Sequence, residues 1–558
     1  MRDRRSWHER HRVPLTVLVC SLPLYGVWGA VLATGGGDLA AQVAWAEFAR
    51  MYPGYAYNLF WYGGLHTANY SVISPYLMAA LGVVPVTLLS GLAASWLAGA
   101  VVQRTGVRRP VWPALVVMFS LWCQVVSGRS TFMLGSAFAM GAVLAVVSGR
   151  GGRHLTLAAL ATALATMGSP VAGLFLLVVG AAYLLTREWD RALVLILPPV
   201  AVVATTTLLF PFEGEQPMPL VRIWPPVLLC AVIILAAPKA WRLLWYGAAV
   251  YAFGVVLCYL IASPIGTNVE RLTELAAPAA LLAIVMYRWD GREGDGTPPV
   301  WRPLGRLTPR RRKVGCAVAL ALALTWLSGK TIADIVTNTE VPEWAVETDG
   351  VVNELERLDA WRTRVEVVPA RDHREAAILA PYINMARGWN RQADVERGRL
   401  FYEGHGGTEV PEGTFTSRAY RAWLSQWAVG FVVLVNGEPD GPAKLEHALV
   451  SSEPDYLDLV WEDANWKIYR VKSATPLADE PASVVKSDGA NLVVHMPRPG
   501  TVTVRVAYSP WLWADNGCLA PEGEFTRLTV QEAGDVRISS LYGGPSREKP
   551  LKCEETEQ

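Results

Sequence analysis

Asp38 closes the run Gly35-Gly36-Gly37-Asp38, a few residues past a long apolar segment, and Glu47 follows nine residues later. A carboxylate so placed can take a proton from a hydroxyl group. The same stretch carries His66, Asn69 and Tyr70. Farther along, Thr267-Asn268-Val269-Glu270-Arg271 is followed one helical turn later by Glu274. A guanidinium at a helix start, beside an apolar groove, has the planar fork that suits phosphate oxygens. A fourth polar group is Gly168-Ser169-Pro170. Each also has a plain role. Asp38 can be a cap or a solvated loop residue, His66 a hydrogen-bonded scaffold residue, and Glu270 with Arg271 an interfacial ion pair. The chain has no CxxC and no HExxH, so no dedicated metal site is signalled. No basic stripe suggests a nucleic acid.

These residues need elements to hold them. Hydrophobic residues make up 52% of the chain and charged residues 18%. Apolar runs near 14–34, 76–102, 110–127, 132–148, 155–167, 171–186, 192–210, 223–237, 242–262, 272–287 and 314–330 each approach the length that a bilayer core requires. The expectation is a polytopic α-helical membrane protein with about eleven transmembrane helices. The basic N-terminus has no small-residue cleavage site after it and reads as a retained segment rather than a signal peptide. With the N-terminus inside, the inner segments hold twenty-two Lys and Arg and the outer loops hold four. This bias places Asp38 outside. It also decides between one long span and two short ones at 155–186. Merging them across Gly168 and Pro170 would export Arg310, Arg311, Arg312 and Lys313, so a break at this turn is expected.

After Lys330 the composition changes. The sequence predicts an extracytoplasmic mixed α/β region over 331–479, a β-sandwich over 480–545 and a disordered tail over 546–558. Residues 1–330 form the membrane domain, with the outer loop 35–75 as its chemical part. The expected elements include helices at 351–361 and 417–427, strands at 364–368 and 431–435, and a hairpin of 457–461 with 466–471. Further strands are expected at 490–495, 501–508, 526–530 and 536–540. Cys518 and Cys553 are the two cysteines of the tail, and a disulfide between them is permitted outside the membrane. Trp511 and Trp513 alternate around Leu512, so an extended chain shows both to one face. Such a face can bind a glycan, or it can pack on the membrane half or the sandwich core.

The stretch Gly36-Gly37-Asp38…Ala46-Glu47-Phe48…Trp61-Tyr62-Gly63-Gly64…Tyr70…Pro75-Tyr76 resembles the first loop of the GT-C superfamily of membrane glycosyltransferases, notably actinobacterial members. The pattern Tyr382-Ile383-Asn384…Arg387-Gly388-Trp389…Arg391-Gln392 resembles actinobacterial membrane proteins of the same group. The resemblance implies a GT-C-like fold in the plasma membrane, with a cytoplasmic N-terminus and an extracytoplasmic C-terminal domain. It implies inverting transfer of a sugar from a polyprenyl-phosphate donor to an envelope glycan, lipid or protein acceptor. Asp38 is then the catalytic base, with Glu47 as its acidic companion. Arg271 and Asn268 hold the donor phosphate, and His66, Tyr70 and Glu270 orient substrates. The aromatics of the first loop stack on sugars or form a belt at the headgroup level. Many relatives carry paired acids where this chain has Asp38 alone, which leaves a divalent cation, Mg or Mn, an open question. Two other classes remain: a multi-span transporter, and a non-catalytic envelope assembly or lipid-binding protein built on the same fold. A transporter fits less well, because no internal repeat is evident and ionisable residues within the spans are scarce.

Overall fold

The computed structural model describes residues 7–212, 214–216, 218–238, 240–287, 308–393, 395–402 and 413–542. The chain forms two compact units. The first comprises Met1–Ala33, Val83–Thr205 and Gln216–Thr339, and the second Thr34–Gly82, Thr206–Glu215 and Glu340–Gln558.

The first unit is helical. Among the described residues, six helices are long and apolar enough to cross a membrane: His11–Leu32, Val83–Arg104, Ser130–Ser148, Trp189–Leu209, Arg242–Leu260 and Arg310–Asn338. Three shorter apolar helices, Val111–Val126, Pro170–Leu185 and Leu220–Ala236, join them. Helices Gly152–Gly168 and Glu270–Met286 also belong to this bundle. The chain is thus a membrane protein by the length and composition of its helices. Lipid tails are as apolar as leucine, so close contact between such helices depends on small side chains. Gly91, Ser95 and Gly99 recur every four residues on the helix Val83–Arg104. A Cβ at Gly99 would stand 2.9 Å from the Pro14 Cα. A Cβ at Gly91 would drive into the ring of Tyr25, whose hydroxyl lies 3.2 Å from Ser95 Oγ.

Three helix boundaries differ from the sequence expectation or refine it. The span expected at 76–102 is interrupted at Gly82, whose φ of 88° ends one helix, Ser74–Leu81, before Val83–Arg104 begins. The last helix, expected at 314–330, runs Pro309–Asn338. At 168–170 the chain breaks at extended Ser169, and helices Gly152–Gly168 and Pro170–Leu185 pack on each other.

The second unit holds the strands. They are β1 Tyr57–Asn58, β2 Leu65–His66, β3 Arg364–Val367, β4 Val429–Val435, β5 Leu457–Glu462, β6 Trp466–Val471, β7 Ser483–Ser487, β8 Asn491–Met496, β9 Gly500–Val504, β10 Trp513–Ala514, β11 Cys518–Glu522, β12 Phe525–Val530 and β13 Gly534–Ser539. One sheet has the order β3-β4-β6-β5, with β3 and β4 parallel and the other pairs antiparallel. Its central strand β4 is buried along its whole length. Phe431, Val433 and Val435 enter one core, while Val429, Val432 and Leu434 enter another. Burial on both faces is why this segment reads as an unbroken apolar run. Farther on, the sheets β10-β13-β8-β7 and β11-β12-β9 enclose a third core as a small sandwich.

The loop after the first helix is built into these cores. Trp45, Trp61, Tyr62 and Leu65 join the core formed by Val365, Phe431 and Ile468. Tyr57, Leu59 and Phe60 join the sandwich core with Val494 and Val504. A belt or sugar-stacking role for these rings gives way to packing. Fixed aromatic area of this size is a large part of the burial in a domain. Cys518 is disulfide-bonded, and Cys553 lies outside the described residues, as does the tail 546–558.

Candidate functional site

The Gly35–Asp38 turn is fixed by a segment more than three hundred residues away. Gly35 and Gly37 have φ of 95° and 65°, which a side chain would resist. The Gly37 N–H donates to the carbonyl of Asp372 at 2.6 Å. Arg374, 4% exposed, donates from Nε to Asp372 Oδ2 at 2.7 Å and from its terminal nitrogens to the Thr34 carbonyl, Thr34 Oγ1 at 2.8 Å and the Glu340 carbonyl at 3.1 Å. Thr34 follows the first apolar helix and Glu340 follows the last. Asp38, partly buried, then opens the helix Asp38–Met51, where the positive end of the helix dipole favours a carboxylate.

Further titratable groups surround Arg374. Glu375 is buried, and burial together with nearby Asp372 pushes its carboxyl far above the usual range. Its Oε2 has no hydrogen-bond partner among the described residues. The His373 ring stacks on Trp389 with 3.4 Å between centroids, and its nitrogens stand 3.9 Å from Glu375 and from Asp440. None of Asp372, His373, Arg374 or Glu375 was singled out from the sequence. Four ionisable residues in a row carry no apolar periodicity, so nothing in the sequence marks them as buried.

Glu47 does not join Asp38. Nine residues along one helix are two and a half turns, about 13 Å of rise, so the two acids point to opposite sides. Glu47 instead pairs with Arg50. These two carboxylates therefore do not form a shared cation site, and among the described residues no group of three His, Cys, Asp or Glu is placed to hold a metal ion. His66 is 3% exposed. Its Nδ1 lies 3.4 Å from the Ala56 carbonyl and its Nε2 3.0 Å from Ser509 Oγ. Burial lowers its pKa to about 4, so it is a neutral bridge within the scaffold. Tyr70 accepts a hydrogen bond from Gln42 and stacks on Trp45.

In the first unit, the buried Glu270 and Glu274 meet a set of cationic and amide donors, most of them only partly buried. Glu274, 2% exposed, accepts from Gln124 Nε2 at 2.7 Å, Lys330 Nζ at 2.5 Å and Arg129 at 3.4 Å. Glu270 accepts from Lys330 at 3.3 Å and Arg222 at 3.4 Å through Oε2, while its buried Oε1 has no partner among the described residues. Arg271 lies over the Phe132 ring at 5.1 Å. Asn268 sits in the 3-10 turn Gly266–Val269 that leads into this helix. Reading the segment from sequence identified Glu270, Arg271 and Glu274 but missed Arg129, Lys330 and Gln124, each of which looked like an isolated residue at a span end.

Trp511 and Trp513 do not present a shared open face. Trp511 stacks on Phe210 at 5.2 Å and meets Tyr542 edge-on at 5.4 Å. Trp513 is 8% exposed, with Arg537 over its ring.

Residues 479–517, from just before β7 through β10, match a family model described as a domain of unknown function (DUF8823). No curated protein matches the chain.

Proposed function

We propose that this membrane protein is an inverting glycosyltransferase of the GT-C type, with about eleven spans. It moves a sugar from a polyprenyl-phosphate donor to an envelope acceptor on the outer face of the plasma membrane. Asp38 takes the proton of the acceptor hydroxyl. The hydroxyl oxygen then bonds to the anomeric carbon as the carbon–oxygen bond to the phosphate breaks, and the phosphate leaves with the bonding pair. Arg271 and Asn268 serve the leaving phosphate. The observation that supports this reading best is the turn at Asp38. Its backbone is over-determined by Arg374 and Asp372, and such rigidity is what a positioned base requires. The test presents labelled polyprenyl-phosphate monosaccharides to membranes carrying the wild type or Asp38→Asn. Transfer should fall by about 100-fold or more at equal protein level. Equal transfer by the two proteins overturns the assignment.

One observation favours a second reading, a carrier. The spans were read as nearly free of ionisable groups, yet Glu270, Glu274, Lys330 and Arg129 gather among the apolar helices. Buried charges at membrane depth often mark a transport path. In proteoliposomes a carrier would lose uptake with Glu270→Gln and keep it with Asp38→Asn.

A further inference from the structure

Four segments of the second unit that carry no charged residue meet at one place. They are Tyr70–Gly82, Thr206–Phe212, Ala507–Ala514 and Ile538–Tyr542. Thr206–Leu209 is the last turn of the apolar helix Trp189–Leu209, so this place lies where a membrane-crossing helix ends. The final carbonyls of a helix lack partners within it. Trp511 supplies one, donating from Nε1 to the Leu209 carbonyl at 2.5 Å. Phe210 stacks on the same indole, Tyr542 meets its edge, and the Tyr542 hydroxyl bonds to Tyr76. Around this cluster apolar side chains face outward: Leu208 is 81% exposed and Leu541 is 37% exposed.

We infer that Trp511, Phe210, Tyr542 and Tyr76 form an aromatic seat by which the second unit rests in the headgroup layer of the bilayer. The chemistry selects this occupant. A ring system with an apolar body and one N–H or O–H is favoured where hydrocarbon meets water, and absence of charge over four segments suits lipid better than a polar partner. A glycan would need a free ring face and a free N–H, whereas on Trp511 Phe210 stacks on one face and the Leu209 carbonyl takes the N–H. The seat does not depend on whether the protein transfers sugars.

The test uses the full chain in vesicles of phosphatidylethanolamine and phosphatidylglycerol. Cys20, Cys123, Cys230, Cys258 and Cys316 are changed to Ala, and a nitroxide is attached at Leu541→Cys or, for reference, at Arg498→Cys in the exposed turn between β8 and β9. Collisions with oxygen relative to a water-soluble nickel complex should be several times more frequent at 541 than at 498. Adding Trp511→Ala should bring the two sites together, and Trp511→Tyr should keep them apart. Equal ratios at the two sites overturn the inference, as does shielding of 541 from both reagents, which would mean that protein or glycan covers it. Should the cysteine changes prevent folding, a lipid with a photoreactive headgroup is used on the unaltered chain. It should label the tryptic peptide 506–527 and spare 487–505, and equal labelling counts against the seat.

Discussion

The cations held inside the two units are neutralised in different ways. Among the helices, Lys330 and Arg129 meet carboxylates of Glu270 and Glu274, and each bond joins one side chain to another. In the strand-bearing unit, Arg374 meets one carboxylate and three acceptors supplied by Thr34 and Glu340, two of them backbone carbonyls. The first arrangement fixes helices through their side chains. The second fixes the path of the backbone where the chain leaves its first and last apolar helices. The lesson concerns Asp38. Glu274 itself ties together side chains from several helices, whereas Asp38 follows a turn whose backbone Arg374 and Asp372 hold.

The sharpest way to break this comparison is to remove Glu274. Glu274→Ala leaves the partly buried Lys330 and Arg129 and the buried Gln124 amide without the carboxylate that they share, and loss of one partner of a largely buried pair costs about 3–5 kcal/mol. Thermal unfolding in detergent should show it. A change within about 1 kcal/mol would mean that the network is loosely held. Arg374→Ala should cost somewhat less, about 2–4 kcal/mol, since it strands Asp372 and two carbonyls rather than two full cations. Arg374→Lys should recover part of the stability but little of the positioning, because an ammonium cannot reproduce a planar fork. In contrast, Asp38→Asn should leave unfolding unchanged while removing transfer.

His66 supplies a third case, a buried group that carries no charge. Its folded pKa is about 4, below the value near 6.5 expected of the unfolded chain. Between these values the unfolded chain holds a proton that the folded chain does not. Stability is therefore complete above about pH 6.5 and falls as pH drops toward 4. The loss between pH 7.5 and pH 5 should be about 2 kcal/mol, and His66→Gln should remove that part of the slope. An unchanged slope would mean that His66 is not its source, and Asp372 and Glu375 could not replace it, because their raised carboxyls stabilise the folded chain as pH falls.

Legibility followed the range of the interaction. Apolar length located the helices, an unbroken apolar run located β4, and alternation located β6, β8 and β12, each strand to within a residue or two. The break at Ser169 followed from Gly168, Pro170 and the charge bias. Gly82 was missed, because one glycine in a long apolar run does not announce the sign of its φ. The first loop was legible as unusual but not as core. Trp61 and Phe60 find their partners three to five hundred residues away, and periodicity carries no record of such pairing. The same distance hid Arg374, which reaches Thr34 across 340 residues.

The smallest expected effect concerns Glu47, and it tests whether Asp38 works alone. In the sequence Glu47 stands as a natural acidic companion of Asp38, and the nine-residue spacing leaves the question open until the segment is known to be one helix. On that helix Glu47 faces away from Asp38 and forms an exposed pair with Arg50. Surface pairs of this kind contribute little, so Glu47→Gln should shift unfolding by no more than about 0.5 kcal/mol. Transfer should stay within about two-fold of wild type, against the hundred-fold loss expected for Asp38→Asn. A loss of ten-fold or more with Glu47→Gln, at unchanged stability, would require that the helix Asp38–Met51 rearrange when substrate binds. The single-base reading would then fail, even if Asp38 remained essential.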